Sequence, residues 1–274
     1  MENNSIKSLP TSWNKQLDHP VWVVSDAHLG VDAKLSSLDR EKHLVRWLDL
    51  ASQHAQTLVL LGDIFDFWFE WKHAVPRGYS RLFGKLTELN DKGVDVHFFP
   101  GNHDMWTFGY LENELGLKIH RKPEVWQIQG LAVYLGHGDG LGPGDYSYKF
   151  VKKVFKSPVF QWLYARFHPN FSFGLASLLS KRSRTSGGDQ SQFLGEDKEW
   201  LIQFSKAQSK HFPEHLFLFG HRHLPMHHAL PNGAHYLNTG DWLQYFSYVR
   251  LEQNHAELWF WPPDGKAHMA LRVP

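Results

Sequence analysis

The chain has 274 residues, enough for one large core or a core with a subdomain. It contains no cysteine, which excludes disulfides and thiolate chemistry and suits a reducing compartment. A formal net charge of +1 excludes chain-wide attraction to nucleic acid, and no apolar run reaches the roughly 18 residues of a membrane-spanning helix.

The opening MENNSIKSLPTSW lacks the apolar stretch of a secretory leader, and residues 1–19 read as an N-terminal extension. VWVVSD (21–26) is a short buried strand ending in a polar loop. Residues 37–55 have a helical pattern, with Leu38, Leu44, Val45, Leu48 and Ala51 assigned to one face. TLVLLGD (57–63) is a second strand, 79–92 a helix closed by Gly93, and VDVHFFPGNHD (94–104) a third strand entering a glycine loop. This strand–helix alternation predicts a mainly parallel sheet with crossover helices. VWQIQG and LAVYLGHGD predict adjacent strands, and LFLFGHRH (216–223) another. From Met226 to Trp261 the pattern is of short strands, with turns at Pro231-Asn232-Gly233 and Gln253-Asn254. Helices are expected as an insertion between Asp145 and about Lys210.

Five apolar runs end alike, at SDAH, LGDIFD, PGNHD, LGHGD and FGHRH. Ligands of α/β sheets gather at the carboxyl ends of strands, so these loops should converge. They supply Asp26, His28, Asp63, Asn102, His137, His221 and His223. Asp26 and His28, two apart, would share one side of an extended chain. Oxygen and nitrogen donors in this number suit two hard or borderline divalent ions with a bridging carboxylate. The lack of thiolates argues against a purely structural zinc site. The other histidines, His97, His120 and His227 among them, are read as structural.

The order D-x-H, GD, GNH[DE], HGD and GH-x-H, over roughly residues 21 to 245, resembles the calcineurin-like metallophosphoesterases. The resemblance implies an α/β fold, a four-layer αββα sandwich. Its core would be 20–144 and 211–262, and a helical lid would occupy 145–210. It implies one metal on Asp26, His28, Asp63 and His223, and a second on Asp63, Asn102, His137 and His221. Mn²⁺ is the metal expected by resemblance, with Fe, Mg and Zn also compatible with such donors. Two such cations lower the pKa of a shared water and neutralise charge developing on phosphorus. Asp104 and Asp139 are placed beside ligands to orient histidines, and His103 to give a proton to a leaving oxygen.

The form GD-x-F-[DE]-x-W, here GDIFDFW, resembles the branch that cleaves UDP-2,3-diacylglucosamine in lipid A biosynthesis, and LNTGDW (237–242) resembles bacterial enzymes close to it. That branch implies cleavage to UMP and 2,3-diacylglucosamine 1-phosphate by attack on the nucleotide-side phosphorus. It usually carries Arg where this chain has His103. Asn102, His103 and His221 of the metal loops are also read as substrate contacts, and resemblance adds Asp145 and Tyr148 at the base of the lid and Ser183 and Arg184 at its far end.

The insertion has its own signal. From Tyr146 to Gly188 there is no acid, and the segment's formal charge is +8 against −7 for the rest of the chain. Lys149, Lys152, Lys153 and Lys156 recur at helical spacing among Phe150, Val151, Val154 and Phe155. Lys152 and Lys153 are read as substrate contacts. Cations on one face and aromatics on the other suit anionic lipid, or a slot for a pyrophosphate with acyl chains. The expectation is an enzyme peripheral to the cytoplasmic face of the inner membrane, acting on a nucleotide-sugar lipid, with no nucleic-acid partner. The rival readings are a phosphodiesterase or phosphatase on a nucleotide, nucleic acid or phosphoprotein, and a non-enzymatic scaffold that docks on membranes.

Overall fold

The structure, a computed structural model, describes residues 14–144, 146–176, 192–211 and 216–274. Two sheets stack face to face. One has seven strands: β2 (Val21–Val24), β3 (Thr57–Leu60), β4 (Asp95–Phe98) and β5 (Lys118–Ile119) run parallel. The antiparallel β11 (Ser247–Glu252), β12 (His255–Phe260) and β13 (His268–Val273) extend it from β2. The other has six, in the order β1 (Lys15–Leu17), β6 (Glu124–Ile128), β7 (Leu131–Gly136), β8 (Leu216–Phe219), β10 (His235–Asn238) and β9 (Met226–Ala229).

Side chains alternate across each strand, so each sheet has two apolar faces to cover. Val21, Val23, Val59 and Leu61 meet Trp126, Val133, Leu216 and Leu218 between the sheets. Trp22, Val24, Leu58 and Leu60 face outward under α1 (Ser37–Ser52) and α2 (Ser80–Asp91). On the far side Tyr134, Phe217, Phe219 and Tyr236 are covered by α7 (Trp200–Ser209) through Leu201 and Ile202. The layers run helix, sheet, sheet, helix, which is the αββα sandwich expected. A short α3 (Tyr110–Asn113) precedes β5.

Three boundaries differ from the expectation. Residues 15–17, within the supposed extension, pair in parallel with β6. Residues 268–273, beyond the supposed core, pair with β12. The end of the 145–210 insertion, α7, is the fourth layer of the sandwich, because Leu201 and Ile202 bury themselves on the outer sheet face. In α1 the buried stripe is Arg40, Leu44, Trp47, Leu48 and Ala51, while Leu38 is 46% exposed. At roughly 100° per residue Leu38 lies opposite that stripe.

The rest of the insertion forms α4 (Tyr146–Phe155), α5 (Pro158–Tyr164) and a helical run over 169–176, α6. Its inner aromatics, Phe155, Phe160 and Tyr164, pack on Phe67, Phe69, Met105 and Trp106 from the loops after β3 and β4. Tyr146, Phe150, Trp162, Phe167 and Phe171 are exposed. No helix among the described residues is long and apolar enough to cross a membrane.

Candidate metal centre

The loops after β2, β3, β4, β7 and β8 converge on one edge. Their geometry is unusual for non-glycine residues: Asp26, His28, Asp63, His221 and His223 all have φ between 42° and 64°. Left-handed backbone costs an L residue energy and gathers at functional sites. It also corrects the extended-chain reading of Asp26 and His28, whose loop leaves the extended conformation while still running beside the loop after β3, with the Asp26 and His28 amides donating to the Gly62 and Asp63 carbonyls at 2.9 Å. Gly101 makes the close approach possible, since a Cβ there would strike the Asp63 carboxylate.

Asp26, His28, Asp63 and His223 bring one donor atom each to a common point, and Asp63, His137 and His221 do the same at a second, sharing Asp63. At the first point His28 Nε2 and His223 Nε2 are 3.2 Å apart, with Asp26 Oδ1 3.3 Å from His223 Nε2. The Nδ1 atoms of these two rings donate to Asp66 and Asp241, each at 3.3 Å. Each neutral ring therefore turns a lone pair on its neighbour. At the second point His137 Nδ1 donates to the Leu61 carbonyl at 2.9 Å. Its Nε2 then faces Asp63 Oδ2 at 3.2 Å and Asn102 Oδ1 at 3.3 Å. Acceptors facing acceptors in a buried cradle repel one another unless cations lie between them, so the donor sets fit two divalent ions.

The electrostatics show the same tension. Burial pushes the Asp26 carboxyl above its usual range. Burial opposes charge on His137, yet Asp63 outweighs it and drives the imidazole up to about 10. Burial, with the charge of His137, takes His221 down to about 3. Burial also opposes charge on Asp63, but His137 and His103 hold its carboxyl well below the ordinary value.

His103 donates Nδ1–H to the Asp66 carbonyl at 2.8 Å, and its ring stands edge-on to His28 at 4.7 Å. Asp104 differs from the expectation that it orients a histidine. It is fully buried and accepts from the backbone amides of Gly101, Ile64 and Asp63 at 2.7, 2.8 and 3.2 Å, with Phe65 at 3.4 Å. It thus ties the GD loop to the GNHD loop. Burial and the neighbouring Asp63 charge push its carboxyl up to about 7.

Asp139 likewise faces the insertion. It accepts the Tyr148 hydroxyl at 2.7 Å and pairs with Lys152, which also donates to its carbonyl. The cationic face of α4 is therefore turned inward at Lys152, and at Lys149 through the Gly142 carbonyl, while Phe150 and Lys153 are exposed. The buried negative charge of Asp139 explains the reversal. A cavity of about 530 Å³ opens beside His137 and Asp139 and is lined also by Arg121, Lys122, Lys152 and Lys156. Asp145, Ser183 and Arg184 lie outside the described residues.

Other residues at the site were not singled out by sequence. Asp66 and Asp241 hold the first pair of histidines, and both stood visible inside GDIFDFW and LNTGDW. Arg40 is wholly buried and donates to the carbonyls of Ala27, His28 and Leu35 at 2.7, 2.8 and 3.0 Å, and to that of Val31. Its only signal was a charge within an apolar helical stripe.

A family model described as calcineurin-like phosphoesterase matches residues 19–261, and the chain belongs to that family of hydrolases. The UDP-2,3-diacylglucosamine hydrolase of Porphyromonas gingivalis is 38% identical over 84% of this chain and 92% of its own. That of Shewanella baltica is 27% identical over 81% and 88%. Among solved structures, the E. coli phosphoesterase YfcE aligns with a TM-score of 0.47 and 17% identity over 93% of this chain and 98% of its own.

Proposed function

We propose that this protein hydrolyses the pyrophosphate bond of UDP-2,3-diacylglucosamine to UMP and 2,3-diacylglucosamine 1-phosphate, using two divalent cations. The observation that carries the chemistry is the pair of buried donor sets sharing Asp63. The substrate class is supported by the 38% identical relative, which bears the name of that hydrolase.

Asp26, His28, Asp63 and His223 hold one ion, and Asp63, Asn102, His137 and His221 the other, with Mn²⁺ the metal expected. Such ions, when bound, lower the pKa of water and offset charge developing on phosphorus. The chain's own work is positional. Asp66 and Asp241 fix the tautomers of His28 and His223, and the Leu61 carbonyl fixes that of His137. His103 has its Nδ1 proton committed to the Asp66 carbonyl, so Nε2 is the atom left to face the departing oxygen, and it gives a proton there when the ring carries its second one as imidazolium. The cavity beside His137, apolar in much of its lining but ringed by Arg121, Lys122, Lys152 and Lys156, suits an anionic group with an attached ring, and the aromatic insertion suits the acyl chains. By resemblance Asp145, Ser183 and Arg184, which lie outside the described residues, would add to the substrate contacts. Exposed Tyr146, Phe150, Trp162, Phe167 and Phe171, with Lys153 and Arg166, suit the anionic cytoplasmic face of the inner membrane.

The test is product analysis by mass spectrometry with purified protein, Mn²⁺ and UDP-2,3-diacylglucosamine in ¹⁸O water. Release of UMP carrying ¹⁸O is expected. No turnover with Mn²⁺, Fe²⁺, Mg²⁺ or Zn²⁺, or much faster hydrolysis of a nucleotide or phosphoprotein, would overturn the assignment.

A further inference from the structure

The two ion positions are not supported alike. Around the first, the partners are core residues: Asp66 for His28, Asp241 for His223, and Ser25 with the His221 amide for Asp26. Around the second, the Leu61 carbonyl holds His137 from the core, and further support comes from α4 of the insertion. The loop that follows His137 is gripped through Asp139 by Tyr148 and Lys152 of α4. From the other side α7 closes on it, so that a side chain at Gly138 would press on Leu201 and one at Gly142 on the Trp200 carbonyl. The His221 ring packs between those of His137, at 5.1 Å, and Tyr148, at 6.4 Å. Among the described residues no hydrogen bond holds that imidazole. The next residue, Arg222, forks onto Glu199 at the start of α7, with contacts of 2.9 and 3.0 Å, and also donates to the Gln192 carbonyl at 2.7 Å.

We propose that the second ion position takes part of its affinity from α4 of the insertion, with Asp139 as the positioning residue that transmits it, whereas the first is set by the core. This rests on the two-ion reading above. The planar guanidinium–carboxylate fork ties Arg222 to α7 of the core and so steadies the backbone of both His221 and His223, serving the two positions alike. Asp139, in contrast, fixes only the loop of His137, and it does so through α4. Coupling of this kind is reciprocal: whatever orders α4 tightens the second ion, and the second ion tightens whatever binds against α4. The insertion would thus match metal loading to substrate.

The experiment uses the full chain and Mn²⁺ alone. Electron paramagnetic resonance of free Mn²⁺ follows the titration, and the bound ions are resolved as two steps. In Lys152→Met one step should weaken about 10-fold, the usual scale for loss of a partner behind a metal ligand, with the other step held within twofold. Tyr148→Phe should give a smaller shift of the same step. Asp241→Asn should weaken the opposite step. Tyr148→Phe removes a single hydroxyl and leaves the fold in place, so it decides the matter should the larger change unfold the insertion. Equal weakening of both steps, no shift in any insertion variant, or the same step moving in Asp241→Asn would overturn the proposal. A wild-type protein that binds only one Mn²⁺ would instead overturn the two-ion reading itself.

Discussion

Arg40→Met tests whether the metal loop is held from beneath. The guanidinium is fully buried and donates to four backbone carbonyls, those of Ala27, His28, Val31 and Leu35. Methionine fills much of the same space but leaves those oxygens without their donor. An unpaired buried polar group costs about 1–3 kcal/mol, and breaking a buried charged network about 3–5 kcal/mol. We expect a loss of about 4 kcal/mol. At about 2 °C per kcal/mol for a chain of this size, the melting temperature should fall by about 8 °C. Arg40→Lys keeps the charge but not the fork and should fall between. Thermal melts in EDTA isolate this term from metal binding. Because the carbonyl of ligand His28 is among the four acceptors, Mn²⁺ affinity should also drop about 10-fold. A melting temperature within 2 °C of wild type would refute the reasoning.

Gly101→Ala should abolish Mn²⁺ binding at both positions and with it hydrolysis of a chromogenic diester, because the new Cβ strikes the shared Asp63 carboxylate; retained stoichiometry of two would count against the geometry. His97 is buried and lies beside the Lys15 charge and His120, which together lower its pKa to about 3. The unfolded chain takes up a proton near pH 6.5 that the folded one refuses until about 3, so stability should fall as pH drops through that window, by about 1.4 kcal/mol per pH unit from this group. His97→Gln should flatten the difference between urea melts at pH 4 and 7, and an unchanged difference would contradict the assignment. Trp162→Glu with Phe167→Glu should reduce sedimentation with phosphatidylglycerol vesicles at least fivefold while leaving hydrolysis of the small diester intact. Equal sedimentation would remove the insertion as the membrane contact.

The five ligand loops were legible because each is a local event, an apolar run that stops at glycine beside Asp, Asn or His. Distant partners were not legible in the same way. Nothing near Asp66 or Asp241 in sequence says which histidine it will meet, since the meeting depends on strand order in two sheets. Arg40 was hidden because a charge on a helix usually points to water. The strands Lys15–Leu17 and His268–Val273 sit at sheet edges, one three residues long and the other mostly exposed, so they lack a clear alternating pattern. The insertion's composition was read correctly as aromatic and basic. Which way its lysines point was settled by Asp139, a residue outside it.

The left-handed backbone at Asp26, His28, Asp63, His221 and His223 has a kinetic consequence. That backbone is tied down by bonds within the protein, such as those of Asp104 to the GD and GNHD loops and of Arg40 beneath His28, so the fold of these loops should outlast removal of metal. A chelated protein should therefore keep its secondary structure and near-native near-ultraviolet dichroism. Exchange between Mn²⁺ and a competing ion should be governed by access past α4 and the histidine rings.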